Sequence, residues 1–136
     1  MQQILPSDKI YVIESTIPGA GRGVFARRLI KKGEIIEVCP FIALPSDEME
    51  MLGSSHLVTY IFFYGKDKEK LLLTLGYGSI YNHSYEPNAS YQINEVEQTI
   101  TFTATRGIAA HDEITFNYKH GNPENKLPLW FEAAHS

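Results

Sequence analysis

The sequence contains one cysteine, Cys39, so no disulfide can form within the chain. Its five histidines show no paired metal spacing, and a single thiol cannot build a multi-cysteine zinc cluster. No metal is therefore expected. No apolar run is long enough to cross a bilayer and no apolar leader opens the chain, so an intracellular, soluble protein without a membrane partner is expected. Positive charge is not in excess: 12 Lys and Arg against 16 Asp and Glu leave a net charge of -4. That balance gives no electrostatic footprint for direct nucleic-acid binding and is compatible with a basic, lysine-rich partner. Repeats, low-complexity tracts and linker-like stretches are missing too. At 136 residues the chain is expected to be one domain, 1–136, able to bury its own core.

What the chain does have is a series of short β-like stretches. Lys9 to Ser15 alternates apolar and polar residues and reads as a strand. Pro18-Gly19-Ala20-Gly21 breaks it, and Gly19, Gly21 and Gly23 allow positive φ and a close backbone approach to a ligand. This is no dinucleotide fingerprint, because the remaining glycine of that pattern is missing and no helix pattern follows. Lys31-Lys32-Gly33 turns the chain into a strand from Glu34 to Leu44. Ser46 reads as the cap of a short helix, Asp47 to Leu52, with Met49 and Leu52 facing the core and Gly53 ending it. His56–Tyr64 and Lys70–Leu75 read as two strands around the charged turn Gly65–Glu69. Ala89–Asn94 and Thr99–Ala104 alternate as a hairpin, with Tyr91, Ile93, Ile100 and Phe102 inward. Asp112-Glu113-Ile114 repeats Gly33-Glu34-Ile35, a turn feeding a short strand. After Tyr118 the tail is loop-like, and Trp130 and Phe131 need something to pack on. The sum is a mainly β domain with little helix.

One stretch interrupts this pattern, Gly78-Ser79-Ile80-Tyr81-Asn82-His83-Ser84-Tyr85-Glu86-Pro87-Asn88-Ala89. It is rich in turn formers, yet β-like segments flank it on both sides. A loop crossing the middle of a domain usually carries function.

Asn82-His83-Ser84 with Pro87-Asn88, then Glu113-Ile114-Thr115-Phe116-Asn117-Tyr118, with Gly21-Arg22-Gly23 before both, resemble the motifs of the SET-domain protein lysine methyltransferases. The resemblance covers residues 10–120 or so, leaving a C-terminal tail, 119–136. It implies a β-clip-like fold of short curved sheets, with the C-terminal motif threaded through a loop near the asparagine-histidine segment. It also implies a minimal, free-standing enzyme that transfers a methyl group from S-adenosylmethionine to a lysine amine of a protein or peptide. Histone tails are the family's best-known substrates, and a homodimer that completes a peptide groove is compatible with so small a member.

Site residues follow by matching positions. Tyr118 falls on the family's catalytic tyrosine, next to the cofactor. Arg22 and Gly23 fall on backbone contacts to the cofactor. Asn82 and His83 fall on positions that hold its amino-acid part and adenine edge. Trp130 or Phe131 would close the adenine pocket or plug the core. Phe116 falls where a phenylalanine-or-tyrosine choice influences how many methyl groups are added. Tyrosines suit a lysine channel, since their rings hold a cation and their hydroxyls orient an amine.

The chain departs from the family pattern in three places. Asn117 stands where aspartate is common, and Tyr85 where many members have a zinc-binding cysteine. The channel tyrosine that often follows the first glycine-glutamate turn is absent from Glu37-Val38-Cys39-Pro40, leaving Tyr60, Tyr64 or Tyr77 to line the channel. An inactive SET-like module that only binds cofactor or peptide is the alternative to an enzyme. A plain β scaffold that binds no cofactor is a further one.

Overall fold

Short apolar stretches punctuated by turn formers yield short strands. The computed structural model describes residues 3–64 and 70–118 and arranges nine strands there in two curled sheets. In chain order they are β1 (Ile10–Glu14), β2 (Arg22–Ala26), β3 (Ile35–Leu44), β4 (Ile61–Tyr64), β5 (Lys70–Thr74), β6 (Asn82–His83), β7 (Ala89–Asn94), β8 (Thr99–Ala104) and β9 (Glu113–Phe116). A single α-helix among the described residues, α1 (Met49–Gly53), lies between 3-10 turns at Ser46–Glu48 and His56–Tyr60. The expected turn Gly65–Glu69 and the tail 119–136, with Trp130 and Phe131, lie outside the described residues.

The larger sheet has the order β4-β5-β3-β8-β7, antiparallel throughout. Its central strand, β3, changes partner along its length. Ile35–Pro40 pairs with β8 and Phe41–Leu44 with β5. Pro40 sits at the changeover, where its missing N–H costs least, and its carbonyl accepts the Leu75 N–H at 2.9 Å. A bulge between Ile35 and Glu37 breaks the alternation, so that Ile36 and Glu37 are both buried. The hairpin of β7 and β8 matches the expected bounds, with Ile100 and Phe102 buried and Tyr91 and Ile93 half-buried against the core.

The smaller sheet has the order β1-β2-β9-β6 and carries the motifs. β2 is a strand that the glycine-rich sequence did not announce. With β1 on one edge and β9 on the other, Gly23, Val24, Phe25 and Ala26 are buried in succession, so no apolar alternation marks it. At the turn before β9, His111 takes φ 72°. Its N–H reaches the Ala26 carbonyl at 2.7 Å, and the Ala26 N–H reaches the Asp112 carbonyl at 3.0 Å. Those bonds seat β9 against β2. Its other edge takes β6 in parallel, Asn82 opposite Thr115 and His83 opposite Phe116.

Two expectations fail between β3 and β4. Ser46 does not cap a helix: it is the first residue of the 3-10 turn, Pro45 takes the N-cap position, and no side chain caps that turn or α1. Five residues are too few to present a buried face, so Met49 is exposed and Leu52 only half-buried. The first half of His56–Tyr64 is not strand. The Ser55 hydroxyl accepts the Leu57 N–H at 3.1 Å and starts a 3-10 turn, leaving only Ile61–Tyr64 extended.

Candidate active site

Glu113, the first residue of β9, gathers the motifs. Its Oε1 accepts the Ser15 hydroxyl at 2.7 Å, and its Oε2 accepts the Asn82 Nδ2 amide at 2.7 Å. The same Asn82 amide donates to the Arg22 carbonyl at 3.1 Å. Gly23 passes beside this junction with no room for a side chain: a Cβ there would lie 2.4 Å from Glu113 Oε2 and 3.0 Å from Asn82 Nδ2. The structure thus brings Arg22, Gly23 and Asn82 together around a carboxylate. At Gly21, where φ is +75°, a Cβ would meet nothing within 4 Å.

Asn88 pins the same strand. Its Nδ2 donates to the Glu113 carbonyl at 2.9 Å and its Oδ1 accepts the Thr115 N–H at 2.9 Å. Glu113 and Asn88 lie inside the motifs but had no role by sequence. Their partners come from distant segments, so only folding reveals them.

Tyr118 follows directly. Its backbone N–H donates to His83 Nδ1 at 3.0 Å, so that nitrogen carries no proton. The two rings are 5.1 Å apart, and Tyr85 meets His83 edge-on at 4.3 Å. The His83 imidazole therefore positions Tyr118, and the Tyr118 hydroxyl donates to the Tyr81 carbonyl at 2.5 Å. Burial pushes this hydroxyl's pKa well above the ordinary tyrosine range, and the neighbouring Glu113 carboxylate and Tyr60 push it further.

The expected channel residues are placed unevenly. Phe116 is buried in an aromatic cluster, with ring centroids 5.1 Å from Tyr118, 5.2 Å from Tyr91 and 5.4 Å from Phe102. Tyr60 is exposed but near enough to affect Tyr118 electrostatically. Tyr64 sits at the end of β4 under the Lys70 ammonium, 5.7 Å from its ring centre. Tyr77 exposes its ring on the turn after β5. Asn117 is buried, and Tyr85, where a zinc-binding cysteine is common, is exposed. Among the described residues no three His, Cys, Asp or Glu side chains gather, and no helix is long and apolar enough to cross a membrane.

A parallel strand pair that seats a tyrosine beside an asparagine-histidine loop, on curled sheets, is the arrangement of a SET domain. The chain belongs to that family, whose model matches residues 21–119. A Schizosaccharomyces pombe histone-lysine N-methyltransferase, named H3 lysine-37 specific, is 30% identical over 115 residues, 82% of this chain and 71% of that protein. A histone-lysine N-methyltransferase of Halocynthia roretzi is 28% identical over 144 residues, 93% of this chain and 37% of that protein. Among solved structures, a Plasmodium falciparum chain described as a histone methyltransferase superposes with a TM-score of 0.69 at 34% identity, covering 94% of this chain and 99% of that one. The ctPRC2 chain bound to S-adenosylmethionine shares the fold, with a TM-score of 0.69 at 20% identity, over 96% of this chain and 17% of its own.

The buried hydroxyls and thiol make a prediction about stability. Burial is the first cause in every case: it raises Tyr91 to about 12, and Tyr81 and Cys39 rise further because Glu37 is beside them. The fold therefore keeps protons that the unfolded chain releases near pH ~8.5 for cysteine and ~10 for tyrosine. Below those values both states are protonated and stability does not change on this account. Above them the unfolded state gains by ionising, so stability is lost as pH rises toward the folded-state values. Urea unfolding midpoints should hold up to about pH 8 and fall steeply beyond about pH 10; a midpoint unchanged at the higher pH would contradict the burial of these groups.

Proposed function

We propose that the protein is a protein lysine N-methyltransferase that uses S-adenosylmethionine. What carries the proposal is the Tyr118 hydroxyl, held on the Tyr81 carbonyl beside Asn82 and His83. The residues present fit the cofactor. Carbonyl and carboxylate oxygens of Arg22 and Glu113 converge with Asn82, a set suited to a ligand bearing ammonium and sulfonium charges, and Gly21 borders open space. Arg22, Gly23, Asn82, His83 and Tyr118 would hold it, with Trp130 a further candidate. When bound, the cofactor supplies an electrophilic methyl group.

The chain's task is to present a neutral amine in line with that methyl. A free lysine has a pKa near ~10.4, and an apolar wall lowers it by disfavouring the ammonium form. Phe116 with Tyr60, Tyr64 and Tyr77 is the wall we assign. Tyr118 does not act as the base, because its raised pKa keeps the hydroxyl protonated at neutral pH. Donating its proton to the Tyr81 carbonyl leaves its lone pairs to accept an amine N–H and fix the amine's direction. Histones are the proposed substrates, on the names of the two relatives. Incubation with mixed core histones and methyl-labelled S-adenosylmethionine tests this: label in histone lysine is expected. Cofactor binding without transfer would instead mark a binding module.

Product state is a further expected outcome. Phe116 lies two residues before Tyr118 and touches its ring. It offers no hydroxyl to anchor a water beside the amine, so the amine can rotate and accept further methyls. Wild type should yield di- or trimethyllysine, and Phe116→Tyr mainly monomethyllysine. Mass spectrometry of one peptide over time decides it; wild type stopping at one methyl with cofactor in excess would overturn the argument.

A further inference from the structure

Glu37 is a carboxylate in the interior that the site described so far does not use. The β3 bulge turns it inward, and it is 8% exposed. Its Oε1 accepts the Tyr81 hydroxyl at 2.7 Å, and its Oε2 accepts the Tyr77 backbone N–H at 3.1 Å. The turn after β5 is pressed onto it at Gly76. A Cβ there, where φ is +64°, would lie 2.9 Å from Glu37 Oε2. Tyr81 is 1% exposed and stacks on Phe102 with centroids 4.4 Å apart. Its carbonyl receives the Tyr118 hydroxyl at 2.5 Å. One residue is thus tied at its hydroxyl to the interior and at its carbonyl to the proposed catalytic tyrosine.

We propose that Glu37 and Tyr81 are positioning residues: the Tyr81–Glu37 hydrogen bond fixes the carbonyl that aims the Tyr118 hydroxyl. The proposal deepens the methyltransferase reading and rests on it for the effect on turnover. A ring held only by packing on Phe102 and the edge of Phe116 can shift, whereas a charge-assisted hydrogen bond at its far end fixes it. The second carboxylate oxygen fixes the turn that precedes it. A buried carboxylate held by two donors is costly to disturb, which makes the anchor rigid. In-line transfer is sensitive to small displacements, about a hundredfold for one ångström.

The test uses Tyr81→Phe, which keeps the ring and its stacking, and Glu37→Gln, which keeps an acceptor for the Tyr81 hydroxyl. In protein with carbon-labelled tyrosine, the Tyr118 Cζ resonance reports its hydroxyl's hydrogen bond without any turnover. That resonance should move in Tyr81→Phe and stay in place in Tyr11→Phe, whose hydroxyl pairs with His111 on the surface. The kcat of Tyr81→Phe should fall between about ten- and a hundredfold, with KM for cofactor and peptide little changed. Glu37→Gln, which keeps the acceptor, should lose much less, and Glu37→Leu, which removes it, carries the same resonance measurement should Tyr81→Phe not fold. A Tyr118 resonance unmoved in the folded variant overturns the tether, whatever the activity. So does an unchanged kcat in an active enzyme. If the resonance moves but wild type transfers no methyl, the tether stands and the proposed function falls.

Discussion

Tyr118→Phe is expected to fold, to bind S-adenosylmethionine with nearly wild-type affinity, and to transfer methyl groups about a hundredfold more slowly or worse. The variant keeps what seats the residue. The backbone N–H still reaches His83 Nδ1, and the ring still lies 5.1 Å from both His83 and Phe116. Only the hydroxyl and its bond to the Tyr81 carbonyl are lost. That costs about 0.5–1.5 kcal/mol of stability, the net worth of one neutral hydrogen bond. The loss in rate is larger because the amine loses the atom that orients it. Thermal melting, calorimetric titration of the cofactor and steady-state kinetics separate the three quantities. Turnover near wild type would move the role to another tyrosine, Tyr60 before Tyr77, since Tyr60 is close enough to shift Tyr118.

Gly23→Ala should damage both the fold and cofactor binding. The backbone there has no positive φ, so the effect is steric. The added Cβ would come within 2.4 Å of Glu113 Oε2 and 3.0 Å of Asn82 Nδ2. A carboxylate at the end of a flexible side chain can often move away. This one is held by Ser15 on one oxygen and Asn82 on the other, so moving it breaks charge-assisted bonds worth about 1.5–3 kcal/mol each. A loss of about 2–4 kcal/mol in denaturant unfolding is expected, with cofactor affinity at least about tenfold weaker. Wild-type stability would show that Glu113 is not a fixed hub. Intact stability with weak cofactor binding would confine Gly23 to ligand contact.

Sequence made the half-buried strands legible and the fully buried or distorted ones not. The β7–β8 hairpin could be read to the residue because one face is buried and the other, at Ser90, Gln92 and Asn94, is exposed, so polarity alternates. β2 offered no such contrast, being buried in succession from Gly23 to Ala26. The run His56–Tyr64 looked extended, but one local bond from Ser55 curls its first half. Glu37 sits in a strand where alternation would not bury it beside Ile36, and only the bulge brings it in. At the site, the order of the motifs pointed to Arg22, Gly23, Asn82, His83 and Tyr118, and folding does gather them. The hub Glu113 and the tether Tyr81 could not be ranked from the chain alone. Their value lies in bonds to Ser15, Asn82 and Glu37, far away in sequence.

The most direct measurement is mass spectrometry of a lysine-containing histone peptide after incubation with S-adenosylmethionine and either wild type or Tyr118→Phe. Methyl groups on a single lysine side chain with wild type, and nearly none with the folded, cofactor-binding variant, are predicted. Equal methylation by the two proteins, or an unmodified lysine with wild type that binds both peptide and cofactor, would contradict the account.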